Sequence, residues 1–167
     1  MRLRRILVLL AAAAALTVLF GASRHRGAWP ADWFLIAVAI VARQGNFVQA
    51  VLAGAGAGLL EDAMVPQMLG FNAFAKAAIG YGLALVSVRV ILGGAVAAGA
   101  TIAVASFVND AIVAALASLL AQAPIVLGTR DAFWRAAATG ITAGMLEAAA
   151  RFGWREWWEK RRLRRLR

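Results

Sequence analysis

Cysteine is absent from this 167-residue sequence, histidine occurs once, and only 16% of the residues are charged. The absence of cysteine excludes disulfides, thiolate catalysis and cysteine-based metal sites. The single histidine, His25, excludes a histidine-rich metal site, and its position in a short polar loop leaves no Ser–His–Asp triad. No glycine-rich loop follows a predicted strand, so a nucleotide-binding loop is missing too. We therefore expect a protein that is not an enzyme and uses no metal or cofactor.

Apolar residues take the place of the missing charge. They make up 63% of the chain, and the mean hydropathy is +0.76. An average soluble domain is roughly 45–50% apolar and about 25% charged. Here the apolar residues form long runs without a polar face, which is typical of helices that contact lipid. The sequence predicts an all-α integral membrane protein that forms one polytopic bundle.

Six apolar runs predict the transmembrane helices, at residues 6–22, 32–42, 47–64, 71–88, 91–121 and 132–152. The first run also resembles a signal peptide, because a basic start precedes it and small residues end it; we favour a retained helix. The second run is short for a hydrocarbon core of about 30 Å, so it either tilts within a longer helix or crosses only in part. Asn109-Asp110 interrupts the fifth run, which predicts one long tilted helix or a helix with a break.

The formal charge of +10 is concentrated near the two ends of the sequence. Eight of the eighteen lysines and arginines lie within residues 151–167, and three more lie within residues 2–5. Basic clusters beside apolar spans favour a membrane surface, not nucleic acid, as the partner. With six crossings, cytoplasmic termini place thirteen of the eighteen basic residues on the cytoplasmic side, so we expect that orientation.

The last fifteen residues, 153–167, are expected to form a basic amphipathic cytoplasmic tail. Tryptophan is enriched where a membrane meets water, and basic side chains favour anionic headgroups. The predicted interface anchors are Trp154, Trp157 and Trp158.

Small residues predict where the helices pack together. In lipid, the burial of apolar surface does not drive helices together, so close backbone approach contributes more. Gly54 and Gly58 form a small-xxx-small pair with Ala50 one turn earlier, and we expect the third helix to be central in the bundle. Gly70 and Gly80 are further predicted packing positions.

Charged residues within apolar spans need a partner or a function, because a charge in hydrocarbon costs several kcal/mol. Glu61 and Asp62, near the outer end of the third span, are expected at the same depth as Lys76 in the fourth. An ion pair that holds this hairpin is the favoured interpretation, with either acid as the partner. A partner-binding or polar-cavity role is an alternative. Ion translocation is less favoured, because the acids collect near one side.

Two further groups of polar residues are structural candidates. Asn109 and Asp110 in the fifth span are expected to make a polar contact between helices, with Lys76 or Arg135 in reach of Asp110. Glu147 precedes Arg151 by four residues, the favourable order for a helical ion pair. Glu156 and Lys160 repeat that spacing, and we expect both pairs to be solvated face charges.

Residues 58–85 read GLLEDAMVPQMLGFNAFAKAAIGYGLAL, and this stretch resembles the rod shape-determining MreD family. In that family a Gly-Leu-x-x-Asp helix end is followed by a short turn, Leu-Gly, a helix start with Ala and Lys, and a Gly-Tyr pair. The matching positions are Gly58, Leu59, Asp62, Leu69, Gly70, Asn72, Lys76, Gly80 and Tyr81. Outside residues 47–88 the likeness is one of hydropathy alone. Glu61 departs from the pattern, since the family often has an apolar residue there.

The resemblance implies a non-catalytic subunit of the bacterial elongation (rod) complex in the inner membrane. Such a subunit binds MreC, and through it RodA, a penicillin-binding transpeptidase and MreB, and it supports cell-wall synthesis and cell shape. The family's architecture is similar to the S component of energy-coupling-factor transporters. A vitamin-binding S component is therefore the alternative function, although the predicted outer loops are short and lack the lining of a tight ligand pocket. An ion-coupled carrier is disfavoured, because no pair of broken helices is predicted at the bilayer midplane.

Overall fold

The computed structural model describes residues 3–21, 31–44, 46–64, 70–89, 94–121 and 128–164. Within these ranges the chain forms six helices and no strand, which confirms the all-helical class. The helices are α1 (Leu3–Gly21), α2 (Trp33–Ala42), α3 (Phe47–Met64), α4 (Phe71–Arg89), α5 (Ala95–Ala121) and α6 (Thr129–Arg164).

The helix bounds agree closely with the apolar runs, with two differences. Helix α5 passes through Asn109-Asp110 as one unbroken helix of 27 residues, so the alternative of a break is wrong. Helix α6 begins at Thr129 and continues for 36 residues, about 54 Å, through most of the predicted tail. The side chains of the predicted anchors Trp154, Trp157 and Trp158, and of Glu156 and Lys160, lie outside the described residues.

Helix α2 is the central element of the bundle. It is capped by Asp32, whose Oδ1 accepts a hydrogen bond from the Leu35 N–H at 2.8 Å. Eight of its ten residues are buried, and it contacts each of the other five helices. The expectation that the third helix is central is wrong, since α3 contacts only α1, α2 and α4. The physical reason is that α2 is apolar on all sides, so every face can be buried.

Glycines allow the backbones of α3 and α4 to meet. A Cβ on Gly54 would lie 2.2 Å from the carbonyl oxygen of Lys76, and one on Gly58 would lie 2.3 Å from the backbone of Ala73. A Cβ on Gly80 would likewise lie 2.5 Å from the carbonyl oxygen of Ala50. These three positions therefore accept no side chain without displacing the neighbouring backbone.

Gly70 does not serve the packing role predicted for it. A Cβ there would meet no atom within 4 Å, so no neighbouring backbone requires a glycine. Its φ of 108° lies in the left-handed region, which glycine adopts without steric cost. Gly70 is therefore a turn residue at the start of α4.

A second glycine contact joins α5 to α6. A Cβ on Gly99 would lie 2.8 Å from the carbonyl oxygen of Gly140, and one on Gly140 would lie 2.7 Å from the carbonyl oxygen of Gly99. Gly144 continues the same contact one turn further along α6. The molecule thus contains two tightly packed hairpins, α3–α4 and α5–α6, with α2 between them.

Small residues form most of the interior, and many large apolar side chains lie outside. Among the residues that the structure describes, sixteen of the 25 buried apolar ones are alanine. Large side chains more than 60% exposed occur on several helices, among them Val48, Leu52, Val96, Val104, Leu119 and Met145. Within the described residues, two helical segments are long and apolar enough to span a membrane, Phe47–Met64 and Ala95–Leu120. Two shorter segments, Trp33–Ala42 and Phe71–Ser87, are also apolar.

Candidate functional site: a buried charge cluster

Lys76 is the centre of a buried charge cluster. It lies in the second turn of α4, where its side chain is fully enclosed. Its Nζ lies 2.5 Å from Asp32 Oδ2, to which it donates a hydrogen bond, and 2.8 Å from Glu61 Oε2. The contact with Glu61 is a close ion pair without hydrogen-bond alignment. One ammonium therefore faces two carboxylates, and the three groups together carry a formal charge of −1.

Asp32 connects three helices through this cluster. One carboxylate oxygen caps α2 and the other binds Lys76 on α4. Its backbone N–H donates to Thr139 Oγ1 on α6 at 3.0 Å. The Thr139 hydroxyl in turn donates to the Arg135 carbonyl at 2.7 Å. Sequence reasoning missed Asp32 as a site residue, although an aspartate directly before an apolar run is a signal for a helix cap.

The choice between Glu61 and Asp62 as the partner of Lys76 is resolved by their directions on α3. Glu61 points toward Lys76, with 20% of its side chain exposed, whereas Asp62 points toward the start of α4. Adjacent residues on a helix lie about 100° apart, so both carboxylates cannot face the same partner.

Asp62 caps the beginning of α4 from the end of α3. Its carboxylate accepts hydrogen bonds from the backbone N–H groups of Gly70, Asn72 and Ala73, at 2.8, 3.3 and 3.3 Å. It also accepts one from the Asn72 side-chain amide at 2.8 Å. The first N–H groups of a helix have no partner within the helix, and a carboxylate satisfies them well. Asp62 therefore stabilises the hairpin without contacting Lys76.

Asn109 and Asp110 face different surroundings on α5. Asp110 Oδ1 lies 3.5 Å from Nη1 of Arg135 on α6. Arg135 is one of the two partners expected for Asp110. Asn109 is buried, and so is Ser106 one turn earlier. The Asn109 Oδ1 and Ser106 Oγ atoms have no hydrogen-bond partner within the described part of the chain.

A second group of charges lies at the opposite end of the bundle. Glu147 on α6 forms ion pairs with Arg43, which follows α2, and with Arg151 at 2.7 Å. The predicted pair of Glu147 and Arg151 is confirmed. The expectation that Glu147 is a solvated face charge is wrong, because two arginines cover its carboxylate and leave 10% of the side chain exposed. A cavity of about 230 Å³ lies beside this group, between α2, α4, α5 and α6.

The chemistry available to the cluster is that of a structural ion network. Lys76 forms ion pairs with both carboxylates, and Asp62 accepts hydrogen bonds from three backbone N–H groups and from the Asn72 side-chain amide. No group of three or more metal-ligating side chains occurs among the described residues. The class that the structure defines is an all-helical bundle with a charged interior at one end. No protein-family model, curated protein or solved structure matches this chain.

Proposed function

We propose that the chain is a multi-pass integral membrane protein of the bacterial inner membrane. The observation that supports this placement is the distribution of side chains, with a charge cluster and many alanines buried and many large apolar groups exposed. Lys76, Asp32 and Asp62 are all less than 9% exposed, whereas Val96 and Leu119 are more than 75% exposed. In water, the buried charges and the exposed large apolar side chains would each cost free energy, whereas a surrounding lipid favours this arrangement.

The burial of the two long apolar segments supports the same placement. A helix of this length and hydropathy in a soluble protein would be a core helix and would be mostly buried. Here only 17% of the apolar window in Ala95–Leu120 is buried, and 33% of the window in Phe47–Met64. The remaining apolar surface requires a covering, and a bilayer supplies it. With six crossings, both termini would face the cytoplasm, as would the Arg43 turn.

We further propose that the protein is a non-catalytic subunit of the elongation (rod) complex that supports cell-wall synthesis and cell shape. The support is the resemblance of residues 58–85 to the MreD family. The described residues of that stretch lie together in the α3–α4 hairpin. Gly58 and Gly80 allow the close backbone contacts, Asp62 and Asn72 join the helix ends, and Lys76 lies in the ion network. MreC would be the direct partner, and RodA, a penicillin-binding transpeptidase and MreB would associate through it.

The alternative function, a vitamin-binding S component, gains no support from the cavity. An S component takes its ligand from the outer side. The cavity lies beside Arg43 and Glu147, at the end of the bundle proposed to face the cytoplasm. The charged side chains at the outer end form ion pairs with one another.

Affinity purification from native membranes separates the two functions. A rod-complex subunit is expected to retain a bitopic periplasmic coiled-coil protein, whereas an S component would retain ATPase subunits and a bound vitamin. Depletion provides a second measurement, since rod-shaped cells should become round in the first case and require a nutrient in the second. Normal cell shape after complete depletion, with no coiled-coil partner retained, would refute the rod-complex proposal.

A further inference from the structure

The cavity beside Arg43 has a buried, apolar floor. Four helices contribute to it, each from the part nearest the Arg43 end of the bundle. The floor residues are Ile36, Ala39, Leu83, Ala98 and Ala143. Three of the five are alanines on three facing helices, so their short side chains leave the space between the helices unfilled.

The rim of the cavity is exposed. Ile40 on α2 is 40% exposed and Leu146 on α6 is 48% exposed. The cavity therefore opens on the outer surface of the bundle between α2 and α6. In a membrane-spanning protein that surface contacts lipid, so the ligand with direct access to this opening is a lipid molecule.

The two ends of the bundle are joined differently, which explains where the cavity lies. At the Lys76 end, Thr139 binds Asp32 directly, so α6 is in contact with α2 there. At the other end the long side chains of Arg43 and Glu147 bridge the same two helices. A bridge of two long side chains can span a wider separation than a hydroxyl bound to a backbone amide, and the cavity lies beside this bridge.

Two arginines and one glutamate lie at the mouth of the cavity. Arg43 and Arg151 both bind the carboxylate of Glu147, and these three groups together carry a formal charge of +1. Their side chains are 42% and 46% exposed, so part of each guanidinium faces outward. Arginine binds phosphate oxygens through paired N–H groups, and this charge therefore favours an anionic headgroup over a zwitterionic one.

We infer that this cavity binds one anionic phospholipid, with an acyl chain on the apolar floor and the phosphate on Arg43 and Arg151. The floor and mouth extend over two turns of α2, from Ile36 to Arg43, or about 10 Å. The volume of about 230 Å³ is below the range of roughly 300–1,000 Å³ of pockets for drug-sized molecules, and it suits a segment of a hydrocarbon chain. The inference rests on the proposed membrane placement but not on the rod-complex role.

Native mass spectrometry of the detergent-purified full chain tests the site. The protein is given phosphatidylglycerol and phosphatidylcholine in equal amounts, and the ratio of the two bound lipids is measured. The wild type is expected to retain one phosphatidylglycerol in preference to phosphatidylcholine. Arg43→Gln should weaken that preference about tenfold, the loss expected for a charge-assisted hydrogen bond. Arg135→Gln, which changes a similarly exposed arginine at the other end of the bundle, should leave the preference unchanged.

A second variant tests the floor. Ala143→Leu places a larger side chain in the cavity and should abolish retention of both lipids, while Ala100→Leu on the exposed face of α5 serves as the matched control. Monodispersity in detergent shows whether each variant is folded, and if Ala143→Leu fails that check, Arg43→Gln still tests the headgroup contact. Equal retention of the two lipids, an unchanged ratio in Arg43→Gln, or displacement by inorganic phosphate alone would overturn the inference. A chain that stays monodisperse in buffer without detergent would instead refute the membrane placement.

Discussion

The Lys76 ammonium lies 2.5 Å from the Asp32 carboxylate, although 44 residues separate the two in the chain. Both side chains are almost completely buried, at 0% and 5% exposure. Because the contact joins the beginning of α2 to the second turn of α4, it fixes the position of α2 along the α3–α4 hairpin. Glu61 adds a second carboxylate, 2.8 Å from the same ammonium.

The first prediction concerns the loss of this ammonium. Lys76→Met leaves Asp32 and Glu61 buried without a counter-charge, and we expect it to lower the free energy of unfolding by about 3–5 kcal/mol. Thermal unfolding in detergent measures the loss as a lower Tm. Arg135→Gln is the control, since Arg135 pairs with Asp110 at 3.5 Å and is half-exposed. Its loss should cost about 1 kcal/mol or less. Equal effects of the two variants would show that burial of the Lys76 cluster contributes nothing.

The second prediction separates Asp32, which binds Lys76, from Asp62, which the sequence offered as a partner but which binds the start of α4. Combining Lys76→Met with Asp32→Asn should be less destabilising than the sum of the single changes, because each removes one member of the same pair. Asparagine still caps a helix, so this substitution mainly tests the charge.

A second double-mutant cycle, which serves as the control, combines Lys76→Met with Asp62→Asn. Asp62 binds the backbone of α4 and not Lys76, so these two changes should be additive within about 0.5 kcal/mol. Unfolding of the four single and double variants in one detergent gives both coupling energies. Stronger coupling to Asp62 than to Asp32 would contradict the arrangement.

The third prediction concerns the cap that Asp62 provides. Asp62→Ala removes a buried carboxylate that accepts four hydrogen bonds, and we expect a loss near the upper end of the roughly 0.5–2 kcal/mol typical of caps. Asn46→Ala is the comparison, because the exposed Asn46 side chain accepts only one hydrogen bond, from the Gln49 N–H at the start of α3. Water can replace that single bond. Tm values that fall equally for both variants would argue against the buried cap.

The fourth prediction uses glycines that differ only in their surroundings. Gly58→Ala places a Cβ 2.3 Å from the backbone of Ala73, so α3 and α4 must move apart, at a cost of about 1–3 kcal/mol. Gly82→Ala on α4 meets no atom within 4 Å and should be neutral or stabilising, by up to about 1 kcal/mol. Unfolding in the same detergent compares the two. A destabilised Gly82→Ala together with a tolerated Gly58→Ala would contradict the proposed packing of α3 against α4.

The helices and their close contacts follow from local patterns, and these could be predicted from the sequence. Apolar runs fix where helices form, and Gly54 and Gly58 lie on one face of α3 wherever that helix is placed. The pairing of α3 with α4 also follows, because a short turn leaves them adjacent and antiparallel. The apolar surface of α2 allows burial on every side, but its contact with all five other helices depends on how those helices arrange around it.

Only part of the charge cluster could be predicted, because one of its members reaches it through tertiary packing. Lys76 and Glu61 lie on neighbouring helices of one hairpin, so their depth can be inferred from the turn between them. Asp32 reaches the cluster from a helix that precedes both, and that distance depends on tertiary packing alone. Glu147 illustrates the same limit, because its pair with Arg151 is local whereas its pair with Arg43 crosses the bundle.

The last prediction tests the crossing of the membrane, and the absence of cysteine makes it direct. A single introduced cysteine is the only thiol in the chain, so labelling by a membrane-impermeant maleimide reports one position without background. Gln44 follows α2 and Thr129 begins α6, and both are exposed at opposite ends of the bundle. In intact spheroplasts, Thr129→Cys should react, whereas Gln44→Cys should react only after the membrane is disrupted. Arg4→Cys should behave like Gln44→Cys, because six crossings would place both residues on the cytoplasmic side. If Gln44→Cys and Thr129→Cys react alike in intact spheroplasts, the bundle does not span the bilayer between them, and its exposed apolar faces require another covering.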